Sequence, residues 1–326
     1  MTPTLSAWSI RTYGTPDQLV SVERPMPTPG PTEILIRVHA SAVTRADGMM
    51  RAGEPRFARA FLGFKRPRKD LIGTCLSGEV IATGDKVTRF SIGDEVFGEA
   101  GMEFGANASH ICLDESGVLM PKPADLSHED AAVMCDGPLT SLYFLENVAA
   151  LKPGERILIL GGSGSLGSAA VQIAAAMGAI VTATCSTRNM EMVSTLGANH
   201  VIDYTSENPF AARNAYDVVY DTLGIASYGD ARKSLARKGR YVCPVLTLPM
   251  LGSVLRTSVF ANRKARFSAA GLQKPASLRP MLTRLLAMTE QATFAPVLDR
   301  IYPLSDLITA HNYMETGHKR GSVVVV

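Results

Sequence analysis

Few charges, few cysteines and a small net charge set the first limits on what this chain can be. Charged residues make up 19% of its 326 residues, below the roughly 25% of an average globular chain. The apolar share of 46% is enough for sizeable cores, which argues against wholesale disorder. The formal net charge of +3 gives little support to nucleic-acid binding. The length predicts two domains.

The five cysteines are scattered, and none forms a Cys-x-x-Cys pair. Their odd number and wide spacing argue against a disulfide framework and a structural zinc lobe, and they fit a reducing compartment, so we expect a cytoplasmic protein. The N-terminus lacks the basic start and apolar run of a secretory signal. Residues 157–187 carry no charge, but five glycines interrupt them. This stretch therefore predicts strand, turn, helix and strand rather than a membrane helix.

The middle of the chain alternates between two kinds of segment. Short apolar runs predict strands at 156–160, 179–185, 200–203, 216–221 and 240–246. The segments between them predict helices at 165–177, 189–196 and 227–236. This alternation predicts a parallel sheet with right-handed crossovers.

The two ends of the chain have a different pattern. Residues 1–120 contain short strands separated by Gly, Pro and Asp, which predict a small barrel-like β module. The last fifty residues predict helix, strand, helix and strand, ending in the apolar strand 322–326.

A glycine-rich turn follows the strand at 156–160. It reads Gly162-Ser-Gly164-Ser-Leu-Gly167, a G-x-G-x-x-G between a strand and a helix. The first glycine permits the tight turn, the second lets a pyrophosphate approach, and the third lets helix and strand pack closely. The free N–H groups of the helix N-terminus attract phosphates. The turn therefore predicts a dinucleotide site, and a merely tight strand–helix turn is the alternative.

The end of the next strand predicts which dinucleotide is bound. NAD-preferring folds place an acid there for the ribose 2′-OH, but this strand ends in Cys185-Ser-Thr-Arg-Asn189. Ser186 and Arg188 can instead hydrogen-bond a 2′-phosphate, so we expect NADPH. Alternatively, Ser186 or Thr187 caps the next helix while Arg188 pairs with Glu191. Both interpretations can hold together.

Taken together, these motifs resemble the zinc-less medium-chain dehydrogenase/reductase superfamily, in its quinone oxidoreductase-like branch. The matching stretches follow the family's order along nearly the whole chain, at 33–53, 78–98, 138–143, 151–167, 182–204, 217–224, 295–303 and 315–321. The resemblance implies an α/β fold with two domains and a homodimer. A GroES-like, β-rich catalytic domain would comprise 1–122 and 270–326. A Rossmann-type domain, with a doubly wound parallel sheet, would comprise 123–269 and bind NADPH.

The resemblance also implies cofactor-binding residues. They are Thr140, Gly162, Gly164, Ser165, Leu166, Gly167, Ser186, Arg188, Tyr204, Val245 and Leu246. Residues 164–166 would lie at the pyrophosphate, and Ser186, Arg188 and Tyr204 at the 2′-phosphate. Thr140 would lie near the nicotinamide, and the backbone of 245–246 would hold its carboxamide. Tyr204 and Thr140 could equally be ordinary core or capping residues.

The positions of the catalytic zinc ligands in zinc-dependent relatives hold other residues here. Thr44 and Thr74 occupy two of them, and only Cys135 survives. A zinc site needs at least three protein ligands, so we expect no metal. Without zinc, simple alcohol oxidation lacks its electrophile. A quinone or an α,β-unsaturated carbonyl suits the site better, because the cofactor supplies the hydride and a few donors can stabilise the resulting oxyanion.

The family's substrate-side loop carries three candidate catalytic residues, Thr44, Asp47 and Arg51. Arg51 or Thr44 could donate to the oxyanion, and Asp47 could orient the loop or the nicotinamide ribose. The alternative is that Asp47 makes a turn hydrogen bond and Arg51 is a solvated charge.

Residues 51–69 form a basic segment with aromatic residues between the charges. Phe57, Phe61 and Phe64 have helical spacing. Three interpretations remain open: a lid over the substrate, a basic amphipathic helix that touches an anionic membrane, or a plain solvated segment.

The sequence therefore predicts a zinc-independent oxidoreductase that transfers hydride from NADPH to a quinone or an α,β-unsaturated carbonyl, with no nucleic-acid partner. The exposed edge of strand 322–326 offers one route to the homodimer, by sheet extension. Two alternatives remain, a non-catalytic NADPH-binding scaffold or sensor and an enoyl reductase for a bulky acyl substrate.

Overall fold

The computed structural model describes residues 3–258 and 261–326, and of residues 58 and 61 the backbone alone. The chain divides into two compact units. The first comprises Met1–Asp136, Lys274–Leu282 and Leu298–Val326, and the second comprises Gly137–Gln273 and Thr283–Val297.

The first unit begins with short strands and three short helices. In chain order these are β1 (Thr4–Ile10), β2 (Leu19–Pro25), β3 (Glu33–Val43), α1 (Arg45–Ala52), α2 (Arg59–Leu62), β4 (Cys75–Thr83), β5 (Glu95–Glu99), β6 (His110–Asp114), β7 (Val118–Pro121) and α3 (His128–Val133). Strands β1 and β2 pair in an antiparallel hairpin.

The next part of the chain alternates helices and strands. They are α4 (Gly137–Tyr143), β8 (Arg156–Leu160), α5 (Ser165–Ala176), β9 (Ile180–Cys185), α6 (Met190–Thr195), β10 (His200–Asp203), β11 (Tyr216–Asp221), α7 (Tyr228–Ala231), β12 (Leu235–Cys243), α8 (Leu248–Ser258), β13 (Lys264–Phe267) and α9 (Pro275–Glu290). Among the described residues the sheet has the order β10-β9-β8-β11-β12-β13, and every pair is parallel. This is the doubly wound order, in which ligands bind outside the carboxyl ends of the strands where the order reverses, here between β8 and β11.

The C-terminal segment returns to the first unit as β14 (Leu298–Tyr302), α10 (Leu307–Glu315) and β15 (Ser322–Val325). The main sheet of that unit, over its described residues, has the order β14-β15-β3-β4-β5-β7, with β6 also on β3. Strand β15 is parallel to β14 and antiparallel to β3, and its residues are buried. Because both of its edges are paired, the predicted sheet extension through residues 322–326 is wrong.

The first unit extends further along the chain than the expected boundary at residue 122. Helix α3 packs on β3, β4 and β5, which places residues 123–136 with the β-rich unit. The expected second boundary at 269/270 lies at 273/274 in the structure, and residues 283–297 belong to the second unit.

The basic segment does not form one helix. Helix α2 ends at Leu62, and Gly63 has φ +127°, so Phe64 lies beyond the helix with 83% of its surface exposed. The side chain of Phe61 lies outside the described part of the chain. The interpretation of residues 51–69 as one basic amphipathic helix is therefore wrong, while the lid and the solvated segment both stay open. In the described residues, no helix has the length and apolar character needed to cross a membrane.

Candidate active site

The glycine-rich turn lies at the carboxyl end of β8 and is bound to the neighbouring strand. The Gly161 N–H donates to Thr184 Oγ1 at 3.1 Å, and the Gly162 N–H donates to the Thr184 carbonyl at 2.7 Å. Gly164 is the N-cap of α5, whose first residue is Ser165. The N-terminus of the twelve-residue helix α5 therefore lies at the turn, as the motif predicts.

The three glycines of the motif are required for different reasons. A Cβ on Gly167 would lie 1.9 Å from the Gly161 carbonyl oxygen, and one on Gly162 would lie 2.9 Å from Ala183 Cβ. A Cβ on Gly164 would meet nothing closer than the Gly161 oxygen at 3.6 Å. Protein packing therefore requires glycine at positions 162 and 167, but at position 164 there is space for a side chain. This open position at a helix N-terminus fits the close approach of a pyrophosphate.

The end of β9 carries the residues predicted for the 2′-phosphate. Arg188 is exposed, and Ser186 is half-buried at the start of a short helical turn, where its side chain makes no capping hydrogen bond within the described residues. Thr187 instead donates its hydroxyl hydrogen to the Asp203 carboxylate. The capping alternative is therefore wrong for Ser186 and Thr187. These residues fit a 2′-phosphate, because a hydroxyl and a guanidinium can both donate to it.

Tyr204 lies beside this strand end. Its N–H donates to the Cys185 carbonyl at 3.2 Å, and 53% of its surface is exposed. Tyr204 is therefore not an ordinary core residue, and its ring is accessible next to Ser186 and Arg188.

Asn189 joins the turn after β8 to the turn after β9 and was not predicted as a site residue. Its side-chain amide donates to Ser163 Oγ at 3.1 Å and Ser186 Oγ at 3.4 Å. The amide oxygen is buried without a hydrogen-bond partner among the described residues. The sequence contains Asn189 directly after Arg188, but the contact with Ser163 spans 26 positions and has no local signal.

The remaining predicted cofactor residues lie near the same edge of the sheet. Gly137 at the start of α4 approaches α5 so closely that a Cβ there would lie 2.5 Å from the Ser165 carbonyl oxygen. Ser141 donates to the Leu166 carbonyl at 2.8 Å, so α4 holds the half-buried Thr140 beside the start of α5. Val245 and Leu246 follow β12 in a half-buried loop.

Asp221 holds the loop after β11 and was also not predicted. Its carboxylate accepts backbone N–H groups from 223–226, with Gly224 and Ala226 both at 2.8 Å, and the Tyr241 hydroxyl at 2.8 Å. A Cβ on Gly224 would lie 2.7 Å from Val245 Cβ, so this loop contacts the loop of the carboxamide residues. The predicted cofactor residues are thus brought together at the carboxyl end of one sheet.

In the first unit, Thr44 and Asp47 form a capping box at the start of α1. The Thr44 N–H and hydroxyl both donate to Asp47 Oδ2 at 2.8 Å, and the Asp47 N–H donates to Thr44 Oγ1 at 3.0 Å. The turn hydrogen bond considered as an alternative for Asp47 is therefore confirmed. The catalytic roles of Thr44 and Asp47 stay predictions.

The Asp47 carboxyl group is fully buried, with 0% of its surface exposed. Its second oxygen, Oδ1, has no hydrogen-bond partner among the described residues. Burial, with a smaller effect of Asp136, raises the pKa of Asp47 to about 7 although the Thr44 hydrogen bonds lower it. Burial raises the pKa of Glu99 to about 7 as well, with contributions from Asp136 and Asp47. The carboxyl groups of Asp47 and Glu99 can therefore stay protonated near neutral pH.

Arg51 is buried rather than solvated, since only 1% of its surface is exposed. Its guanidinium donates to the Gly14 carbonyl and to the Glu315 carboxylate. The alternative of a solvated charge is wrong. Protein acceptors engage two guanidinium nitrogens, so the predicted donation to a substrate oxyanion finds no support in this arrangement and stays a prediction.

Thr74 and Cys135, two positions that hold zinc ligands in zinc-dependent relatives, are buried, and so is Cys75 next to Thr74. Thr74, Cys75 and Cys135 all lie within the first unit, and burial raises the pKa of both thiols well above the ordinary range. The two cysteines are therefore small, protonated core residues. Over the described ranges, no group of three or more His, Cys, Asp or Glu side chains is placed to hold a metal ion.

Comparisons with known proteins support the family. Residues 30–127 match the family model "Alcohol dehydrogenase GroES-like domain", and residues 196–325 match the model "Zinc-binding dehydrogenase". The chain is 31% identical to the 2-methylene-furan-3-one reductase of Solanum lycopersicum, over 98% of this chain and 79% of that protein. The chain belongs to the zinc-less, quinone oxidoreductase-like branch of the medium-chain dehydrogenase/reductase superfamily.

Two further relatives of this quinone oxidoreductase-like chain agree with that assignment. The solved structure of the quinone oxidoreductase from Coxiella burnetii is 31% identical, with a TM-score of 0.87 over 99% of both chains. The NADPH-dependent alkenal/one oxidoreductase, chloroplastic, of Arabidopsis thaliana is 29% identical over 98% of this chain and 79% of that protein. The expected GroES-like and Rossmann-type architecture is confirmed.

Proposed function

We propose that this chain is an NADPH-dependent, zinc-independent reductase that transfers hydride to a quinone or an α,β-unsaturated carbonyl. The observation that carries the proposal is the open Gly164 position at the start of α5, next to the exposed Arg188 at the end of β9. The names of two relatives add support, since a 2-methylene-furan-3-one is itself an α,β-unsaturated ketone and the other relative is called an alkenal/one oxidoreductase.

The residues of the second unit have defined tasks in this proposal. The N–H groups at the start of α5 bind the pyrophosphate, and Gly164 lets it approach. Ser186 and Arg188 bind the 2′-phosphate, where Arg188 contributes a charge-assisted pair. Thr140 and the backbone of 245–246 orient the nicotinamide end. NADPH, when bound, supplies the hydride.

In the first unit, the proposal concerns buried groups that stay protonated near neutral pH. Asp47 fixes Thr44 at the start of α1 through the capping box, and its carboxyl retains a proton near neutral pH because it is buried. The buried thiols of Cys75 and Cys135 stay protonated and unreactive. In this proposal the proton that completes the product comes from solvent water or from the Asp47 carboxyl group.

The test is NADPH consumption by the purified protein with a panel of acceptors: ortho- and para-quinones, short and long enones, and a simple aldehyde. We expect turnover of one conjugated class, insensitive to a metal chelator, with no turnover of the aldehyde. Turnover of the aldehyde alone, or turnover abolished by the chelator and restored by zinc, would contradict the proposal. NADPH binding with no turnover would favour the scaffold or sensor, and turnover of long acyl enones alone would favour the enoyl reductase.

We also propose that the protein is a homodimer, on the basis of the family resemblance, and that it is cytoplasmic, because its scattered cysteines fit a reducing compartment. The interior position of β15 excludes the sheet extension first considered, so a dimer must use another surface.

A further inference from the structure

A basic cavity lies in the first unit, and none of its lining residues is assigned to the cofactor or to catalysis. Its volume is about 780 Å³, within the size range of small-molecule sites. Its lining comes from two segments of the chain, 9–11 at the end of β1 and 63–70 after α2. It includes four cations, Arg11, Lys65, Arg66 and Arg68.

The two walls of the basic cavity are joined by hydrogen bonds. The Ile10 N–H donates to the Asp70 carbonyl at 2.7 Å, and Ser9 Oγ donates to the Asp70 carboxylate at 3.0 Å. The loop itself is closed by the Arg68 N–H, which donates to the Leu62 carbonyl at 2.7 Å, and by the Tyr13 hydroxyl, which donates to the Gly63 carbonyl at 2.7 Å. The cavity is therefore a built feature of the fold.

The charge of the cavity wall is not neutralised by the protein. Asp70, the one carboxylate of the wall, is already paired with Arg24 at 2.6 Å. Arg11, Lys65, Arg66 and Arg68 have no ion-pair partner within residues 3–258 and 261–326. Two neighbouring cations of the same segment have partners, since Lys69 pairs with Glu103 and Arg59 donates to the carbonyls of Ala52 and Gly53.

Apolar side chains complete the lining. Ile10 is buried at the wall, and the ring of Phe64 lies on it with 83% of its surface exposed. Four cations around one opening repel one another, and an anion that pairs with several of them relieves this repulsion. Arginine guanidinium groups match the oxygen geometry of phosphate, and an aromatic ring can stack on Phe64.

We propose that the basic cavity binds a small ligand that carries a phosphate group next to an apolar ring. Arg66 and Arg68 bind the phosphate, and Phe64 contacts the ring. The inference rests on the first unit alone and does not depend on the proposed hydride transfer.

The test compares two double variants that change the net charge equally. Arg66→Gln with Arg68→Gln removes two charges from the cavity wall. Arg56→Gln with Lys86→Gln removes two exposed charges of the same unit that do not line the cavity. Binding of phenyl phosphate, inorganic phosphate and phenol is measured by calorimetry at low ionic strength, and melting curves confirm that each variant is folded.

We expect the wild type to bind phenyl phosphate more tightly than inorganic phosphate and phenol. The wall variant should lose about tenfold or more in affinity, since charge-assisted hydrogen bonds are lost, and the control variant should bind like the wild type. Phosphate binding at the glycine-rich turn cannot mimic this result, because neither variant alters the second unit. Equal losses of affinity in both variants, or no binding of phenyl phosphate to the wild type, would overturn the proposal.

Discussion

The side chain of Arg188 follows β9 and is exposed where the 2′-phosphate of NADPH is expected. NADH lacks this phosphate, so the contribution of Arg188 is specific to one of the two cofactors. Arg188→Ala should weaken NADPH binding by about tenfold to a hundredfold, since a hydrogen bond to a charged group is worth about 1.5–3 kcal/mol, and should leave NADH binding nearly unchanged.

Fluorescence titration with both cofactors measures this difference. Arg232→Ala is a suitable control because Arg232 is an exposed arginine of the same unit, at the end of α7. An equal loss of affinity for NADPH and NADH in Arg188→Ala would refute the assigned role.

Asp47 gives a second prediction at the scale of one residue. The pKa of Asp47 is about 7 in the folded protein, above its ordinary value of 3.8. Between about pH 4 and pH 7, the Asp47 carboxyl group is therefore protonated in the folded protein and ionised in the unfolded chain. The stability contribution of this proton is complete below about pH 4 and is lost as the pH rises through 7. In Asp47→Asn the amide oxygen can still accept from Thr44, but the ionisation is gone.

Asp47→Asn should therefore be more stable than the wild type at pH 8 and similar to it near pH 4. A tenfold change in an ionisation constant corresponds to about 1.4 kcal/mol, so the expected gain at pH 8 is about 2–4 kcal/mol. Melting temperatures measured across this pH range test it.

The chain provides a matched control in its exposed capping box. Asp230 accepts from the Ser227 N–H at 2.9 Å and the Ser227 hydroxyl at 2.6 Å, and these hydrogen bonds lower the pKa of Asp230. The pH dependence of stability therefore has the opposite sign to that of Asp47. The ionised Asp230 carboxylate stabilises the fold above its ordinary pKa, and this contribution is lost as the pH falls. Asp230→Asn should lose a little stability at neutral pH and none in acid. The same pH response in both variants would contradict this account.

At the scale of one element, two glycines of the turn between β8 and α5 should have different roles, Gly167 in folding and Gly164 in cofactor binding. Gly167→Ala should destabilise the second unit, because its Cβ would lie 1.9 Å from the Gly161 oxygen. Gly164→Ala should leave the melting temperature nearly unchanged, because its Cβ meets only an ordinary contact at 3.6 Å, yet it should weaken NADPH binding about tenfold or more by occupying the space of the pyrophosphate.

Melting curves and NADPH titrations of the two variants are the measurement. Unchanged NADPH affinity in a folded Gly164→Ala protein would show that the open position does not contact the cofactor.

The elements show what sequence alone could predict. Strands β8, β10 and β11 have the predicted bounds. In β8 the buried apolar run 157–160 is the sequence signal of a parallel strand, whereas β10 and β11 combine apolar residues with Asp. The helix predicted at 227–236 is wrong beyond α7, which ends at Ala231, and β12 begins at Leu235. The Ala215 and Tyr216 N–H groups both donate to the Ser234 carbonyl, so pairing with a distant segment ends the local helix.

Two further elements, α8 and β13, were not predicted. Strand β13 is four residues long and includes two cations, so its hydrophobic pattern is too short to identify. In the candidate site, the motif located the glycine-rich turn at the N-terminus of α5, whereas Asn189 and Asp221 make contacts that no local pattern encodes. The burial of Arg51 depends on Glu315, 264 positions away.

At the scale of the whole molecule, the interior position of β15 indicates that this strand is needed for folding and not for dimer formation. Val323, Val324 and Val325 are almost completely buried between β14 and β3, and full burial of such a side chain contributes about 1.5–3 kcal/mol. Deletion of residues 322–326 should therefore unfold the first unit rather than release a folded monomer. Light scattering of the intact protein should give twice the 34.8 kDa of one chain if the proposed dimer forms.

A truncated protein that melts like the wild type and has the mass of one chain would contradict the interior position of β15. An intact protein with the mass of one chain would refute the homodimer and leave the fold untouched.

The most direct test of the central claim follows the hydride itself. NADPH carrying deuterium at C4, prepared as each of its two epimers, is turned over with the best enone of the panel, and the product is analysed by NMR. This account predicts deuterium at the β-carbon of the product from one epimer alone, and no label at that carbon when unlabelled NADPH is used in deuterated water. Deuterium at the β-carbon from the solvent, or none from either epimer, would contradict direct hydride transfer by this protein.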